Sequence, residues 1–173
     1  MKKFAALMLA LCLMLGCTAL ADNEITWEQV APTLEAAGVT GDFVTFDEIA
    51  VKVFSPTGAK AVELTDENKE AGYIGYFTDE SGDAIAVQYV DVNGMSLEDY
   101  KAALETTEGV TEIETGTVNG LPALSYMLKE KDVACVAFTT EMGYILEVAC
   151  GKMSAESLAA VVPFIISSIQ SAK

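Results

Sequence analysis

Residues 132–150 read DVACVAFTTEMGYILEVAC, two apolar runs joined by a short polar turn at Glu141-Met142-Gly143. β-Branched and aromatic residues alternating around a glycine-bearing turn predict a β-hairpin. Thr140-Glu141-Met142-Gly143-Tyr144 suits a three-residue loop, with Gly143 in the left-handed position of a type I turn plus bulge. That loop length sets Phe138 against Leu146, Val136 against Val148 and Ala134 against Cys150, an unbroken apolar face. The other face receives Thr139 with Ile145, Ala137 with Glu147, and Cys135 with Ala149. Cys135 and Cys150 then point to opposite sides of the sheet, and no disulfide is expected between them. A two-residue loop at Met142-Gly143 would instead bring the two cysteines opposite each other. It would also set Phe138 against Glu147, and Met-Gly is a poor primed turn.

The rest of the chain is read outward from this hairpin. With 173 residues it suits one domain with a continuous core. It carries 26 acidic against 10 basic residues, a net charge of −16; all the basic residues are lysine, and there is no histidine. Without imidazole there is no Ser-His-Asp or Cys-His site and no His-ligated zinc. Without guanidinium there is no bidentate clamp for phosphate or carboxylate. Nucleic acid and anionic lipid would be repelled by the net field. The acidity reads most simply as a solubility feature of a secreted surface.

Residues 1–21 have the form of a signal peptide: Lys2 and Lys3, an apolar run from Phe4 to Leu15, and Ala19-Leu20-Ala21 as a small-residue cleavage site. The expected mature domain is 22–173, beginning at Asp22 and secreted. The alternative is a surface lipoprotein lipidated at Cys17, because Leu15-Gly16-Cys17 resembles part of a bacterial lipobox. No second apolar run is long enough for a transmembrane helix, so none is expected in the mature chain.

Trp27 to Ala37 predicts a helix capped by Thr26 and ended by Gly38, with Val30 and Leu34 on its buried stripe. Residues 43–46 and 49–54 predict strands around Asp47-Glu48. Thr65 opens a short helix that Gly72 stops. Residues 73–78 and 84–92 form a hairpin, in which Gly75 marks a bulge or the close approach of a packed helix. Ser96 caps the next helix, with Asp99 as the capping-box acid, Met95 and Tyr100 as a staple, and Leu97, Tyr100 and Leu104 as its apolar stripe. Asn119-Gly120 joins strands 110–118 and 121–128. The last helix is expected over 154–170, capped by Ser154 and stapled by Met153 and Leu158. Leu158, Val162, Ile165 and Ile169 lie on its buried face, with Pro163 and Ser167 on the other.

With Gly41-Asp42-Phe43 opening the sheet, Asn119-Gly120-Leu121-Pro122-Ala123 starting a strand and Ser168-Ile169 in the last helix, this order resembles the PsbP/Mog-type fold over roughly residues 41–170. That family includes bacterial extracytoplasmic domains of unknown role, the DcrB-like ones among them. The resemblance implies an α+β fold in three layers, an antiparallel sheet flanked by helices on both faces. Characterised members are accessory or binding proteins, photosystem II extrinsic subunits or regulators of a nuclear GTPase, which implies binding rather than catalysis. The photosystem metal-site histidines have no counterpart, since the chain has no histidine.

Candidate chemistry is sparse. The loop Asp79-Glu80-Ser81-Gly82-Asp83 gathers three acids, a weak candidate calcium site at Asp79, Glu80 and Asp83 without the EF-hand spacing. The paired acids Asp47-Glu48, Asp66-Glu67, Asp79-Glu80 and Glu98-Asp99 fall in turns or first helical turns, where solvated carboxylates belong. Tyr73, Tyr76, Phe77, Tyr89, Tyr126 and Tyr144 sit on strands and are expected to fill the core. The sequence therefore points to a secreted, non-enzymatic binding or accessory protein with no cofactor, acting on a protein or cell-envelope partner. A carboxylate-dependent hydrolase is the alternative. It requires two acids converging in a pocket, at least one with a raised pKa.

Overall fold

The computed structural model describes residues 24–154 and 156–172. The leader at 1–21, Cys17, the mature start at Asp22 and the expected Leu158 contact lie outside the described residues and side chains. In chain order the elements are β1 (Glu24–Ile25), α1 (Trp27–Ala37), β2 (Gly41–Phe46), β3 (Val51–Pro56), β4 (Lys60–Ala61), α2 (Asp66–Glu70), β5 (Tyr73–Thr78), β6 (Ala84–Asp91), α3 (Leu97–Glu105), β7 (Val110–Val118), β8 (Leu121–Leu128), β9 (Val133–Thr139), β10 (Ile145–Gly151), α4 (Glu156–Ser167) and β11 (Gln170–Ser171). The fold is α+β.

The hairpin of β9 and β10 lies in the middle of the large sheet, whose strand order is β1-β7-β8-β9-β10-β6-β5-β4. Its register sets Phe138 opposite Leu146, Val136 opposite Val148, Cys150 opposite Ala134 and Cys135 opposite Ala149, as a three-residue loop dictates. The turn closes through Gly143 N–H to Thr140 O at 2.9 Å and Thr140 N–H to Tyr144 O at 2.9 Å, with Gly143 at φ 78°. Ladders within this sheet are antiparallel except at the β1 edge, where Glu24 and Ile25 run parallel to Thr117 and Val118.

A single sheet was expected, and the structure has two. β2 and β3 leave the large sheet and form a second one in the order β11-β3-β2. The chain end explains the difference. The last helix stops at Ser167 rather than running to 170, and Gln170 and Ser171 pair with Lys52 and Val51. Beyond this short strand, Ser168 Oγ accepts the Phe54 N–H at 2.7 Å and donates to Ile165 O at 2.6 Å, extending the ladder by one rung.

Alternation along β9 separates two cores. Ala134, Val136 and Phe138 join Leu146, Val148 and Cys150, the β3 side chains Val51 and Val53, and Val162, Ile165 and Ile169 from the C-terminal segment. Cys135 and Ala137 join Ile145, Leu124, Tyr126 and Leu104 of α3. A third cluster packs α1 on α4 through Val30, Leu34, Phe54 and Phe164. That contact overturns the expected polar face of the last helix: Ser167 is fully buried, because α1 and the sheets cover α4 on more than one side. Gly75 does sit at a register shift, and the close approach there comes from the Phe46 ring of β2, not from a helix. Met95, expected to staple α3, is exposed and belongs to neither neighbouring core.

Candidate ligand cleft and a buried polar network

Two places gather polar side chains. The first is a cleft of about 390 Å³ where the C-terminal end of α1, the β3–β4 turn, the β5–β6 turn and α4 meet. Gly38 ends α1 because only a left-handed residue (φ 72°) lets its N–H and that of Val39 reach back to the Glu35 and Leu34 carbonyls. The chain then passes Thr40, which is tied to the β3–β4 turn twice. Thr57 N–H donates to Thr40 O at 2.7 Å, and the two threonine hydroxyls are 2.9 Å apart. Apolar walls come from Val39, Pro56, Ala59, Phe77, Ile85 and Val161, and polar ones from Thr40, Thr57, Asp79 and Asp83.

Asp79 and Asp83 are two of the three loop acids singled out in the sequence. Asp79 Oδ1 accepts the backbone N–H groups of Ser81 (2.9 Å) and Asp83 (3.0 Å), so this oxygen holds the turn. Asp83 is 8% exposed. Glu80 points elsewhere, to a solvent-exposed ion pair with Lys60 at 3.7 Å. The three acids do not converge, and among the described residues no group of three His, Cys, Asp or Glu side chains could hold a metal ion. Both cleft acids belong to one five-residue turn, so they share a wall instead of facing each other across a substrate.

The second place is buried under α3. Glu147 is 4% exposed in the middle of β10, and among the described residues no lysine forms an ion pair with it. Its Oε1 accepts the Gln88 amide at 2.8 Å, its Oε2 accepts the Tyr126 hydroxyl, and the Tyr126 and Tyr100 hydroxyls are 2.9 Å apart. Burial pushes the Tyr126 hydroxyl far up, with the Glu147 charge adding to it, and raises Tyr100 to about 12. Burial and then Glu147 raise the Cys135 thiol, and burial alone raises Cys150 to about 12. Both cysteines are buried free thiols on opposite faces of the sheet, and both are poor nucleophiles. This network ties α3 to β6, β8 and β10, with Tyr126 and Glu147 buried and Tyr100 and Gln88 half-buried at its edges.

The cleft was not legible in the sequence, because its walls come from four segments far apart in the chain. Glu147 did leave a signal. It lies in ILEVAC, opposite Ala137 and beside Cys135, Ile145 and Ala149, a strand apolar on both faces; an acid there must be buried and hydrogen-bonded. Of the aromatics expected in the core, Phe77 and Tyr126 are buried, while Tyr73, Tyr76, Tyr89 and Tyr144 are half-buried. Two pairs of the latter stack edge to face: Tyr73 with Tyr76 at 6.5 Å and Tyr89 with Tyr144 at 5.9 Å.

No protein-family model matches the sequence, and no curated protein does. Among solved structures, the cyanobacterial PsbP (CyanoP) of Synechocystis sp. PCC 6803 matches with a TM-score of 0.51 at 11% identity, covering 75% of this chain and 91% of that one. The Ran-binding protein Mog1p of Saccharomyces cerevisiae matches with a TM-score of 0.41 at 10% identity, covering 78% of this chain and 97% of that one, too distant to support an argument. The chain has a PsbP/Mog-type fold, and at 11% identity the likeness is one of fold alone. Among the described residues, no helix is long and apolar enough to cross a membrane.

Proposed function

We propose that this protein is a secreted, non-enzymatic binding domain that acts outside the cytoplasmic membrane, with the cleft between α1, the β3–β4 turn and the β5–β6 turn as its binding site. The observation that carries this reading is the cleft itself. Its volume lies in the range of ligand sites, and its mainly apolar walls carry a few placed polar groups. The PsbP-type fold and the signal-like residues 1–21 support it, as does a sequence without histidine or arginine to assemble a catalytic centre. The layering belongs to the same reading: α3 on one face of the large sheet, α4 with the small sheet on the other, three layers in all.

Two measurements test it. The mass of the chain recovered from the medium of its native host is expected to begin at unmodified Asp22; a lipid-modified start at Cys17 would make it a surface lipoprotein. Capture from the cell envelope and medium is run beside an Ala59→Phe variant whose added ring fills the cleft. Loss of the captured species in that variant is the expected result. Capture that is absent, or indifferent to the filled cleft, would overturn the assignment.

A further inference from the structure

We propose that the cleft selects a small molecule with an apolar body and one ammonium head; this rests on the reading of the cleft as the binding site. Three independent features of its wall favour a cation. Asp79 and Asp83 both line it, and an ionised carboxylate can only accept hydrogen bonds. The C-terminal end of α1, an 11-residue helix, opens onto it at Gly38 and Val39, placing the negative end of the helix dipole at the rim. Among the described residues no lysine lines it, and the chain contains no arginine or histidine that could supply a positive charge. Thr40 and Thr57 add hydroxyl oxygens able to accept from an ammonium N–H. The remaining wall, Phe77 and Ile85 among it, offers only apolar contact, which suits a hydrocarbon body and gives a free metal ion no further ligands.

The same wall sets the order of preference among ligands of one shape. An ammonium head gains the carboxylates and the helix end, a hydroxyl head gains only a hydrogen bond, and a carboxylate head meets like charge. The full mature chain is titrated with phenethylamine, phenethyl alcohol and hydrocinnamate while the amide resonances of Val39, Ala59 and Phe77 are followed. Phenethylamine is expected to shift all three saturably, with a Kd at least about ten-fold below that of the alcohol, and hydrocinnamate to shift none. Asp83→Asn is expected to weaken the amine about ten-fold while leaving the alcohol unchanged. Because Asp83 is buried and this variant can disturb the turn, Thr57→Val, with its exposed neighbourhood, serves as a second variant and is expected to weaken the amine more than the alcohol. Equal binding of amine and alcohol overturns the ammonium preference and leaves the cleft as a binding site. Hydrocinnamate binding as well as the amine overturns it too. Binding by none of the three sinks this proposal, while the capture experiment decides the broader one separately.

Discussion

At the scale of single residues, the telling group is the Glu147 carboxylate, buried without an ion pair among the described residues in a chain that has no arginine. Hydrogen bonds from Tyr126 and Gln88 replace the water it lost, since an unpaired buried acid costs far more than a paired one. Tyr126→Phe keeps the ring and removes that donor, also leaving the Tyr100 hydroxyl without its partner. A loss of about 1–3 kcal/mol is expected, read from the urea midpoint at unchanged m-value. The thiols make a second prediction. Their folded pKa lies above the ordinary 9.0, reaching about 12 at Cys150, so the folded state holds protons that the unfolded state releases. That stability is whole below about pH 9 and is lost as pH rises from there towards the folded value, by up to ~1.4 kcal/mol per pH unit for each thiol. Urea midpoints along an alkaline series are expected to fall accordingly, with a shallower fall in Cys150→Ala. The tyrosines Tyr100 and Tyr126, raised from 10.0, add to the slope at the upper end in both proteins.

At the scale of elements, the caps of the two middle helices behave as their sequences specify, whereas Ser154, expected to cap the last helix, lies before its start at Glu156 and donates its N–H to Asp132 Oδ2 at 2.8 Å. Ser96 Oγ accepts the Asp99 N–H at 3.0 Å and donates to the Asp99 carboxylate at 2.7 Å, closing the first turn of α3. Thr65 caps α2 in the same way, accepting from the Asn68 N–H at 3.2 Å. Asp91, ahead of α3, holds the turn that leads into it: its Oδ2 takes the N–H groups of Met95 and Asn93, and those bonds, the one from Met95 foremost, hold its pKa below the usual carboxylate range. Packing between the sheets is sharper still at Gly75, where an added Cβ would stand 2.8 Å from the Phe46 ring. Gly75→Ala is expected to cost about 1–3 kcal/mol by overpacking. Trimming the ring with Phe46→Leu should relieve part of that cost, and a double-mutant cycle on thermal or urea unfolding should give a coupling of about 0.5 kcal/mol or more. Simple additivity would show that the contact is not what requires glycine there.

At the scale of the whole molecule, one turn residue ties the layers together. Asn119 was legible as a hairpin signal, and it does turn the chain at φ 48° between β7 and β8. Its side chain also accepts the Trp27 N–H at the start of α1 and donates to the carbonyls of Ser167, the last residue of α4, and Ile169 just past it, each at 2.7 Å. Asn119→Asp keeps the turn conformation and the acceptor but loses both donors. A cost of about 1–3 kcal/mol for each carbonyl left without a partner is expected, measured by thermal unfolding, with faster amide exchange at the end of α4.

The sequence by itself determined what depends on near neighbours. The order of the longer helices and strands, the register of the β9–β10 hairpin and the opposite facing of Cys135 and Cys150 follow from period-two alternation, turn chemistry and loop length, while the two-residue strands β1, β4 and β11 left no such pattern. Tertiary structure alone decided which segments far apart in the chain become neighbours. The split into two sheets, the conversion of Gln170 and Ser171 from helix to strand, the burial of Ser167 and the partners of Glu147 all depend on surfaces meeting across the fold. The cleft belongs with these, since a concave surface exists only where separate elements fail to touch, and no local pattern in any one of them records the gap.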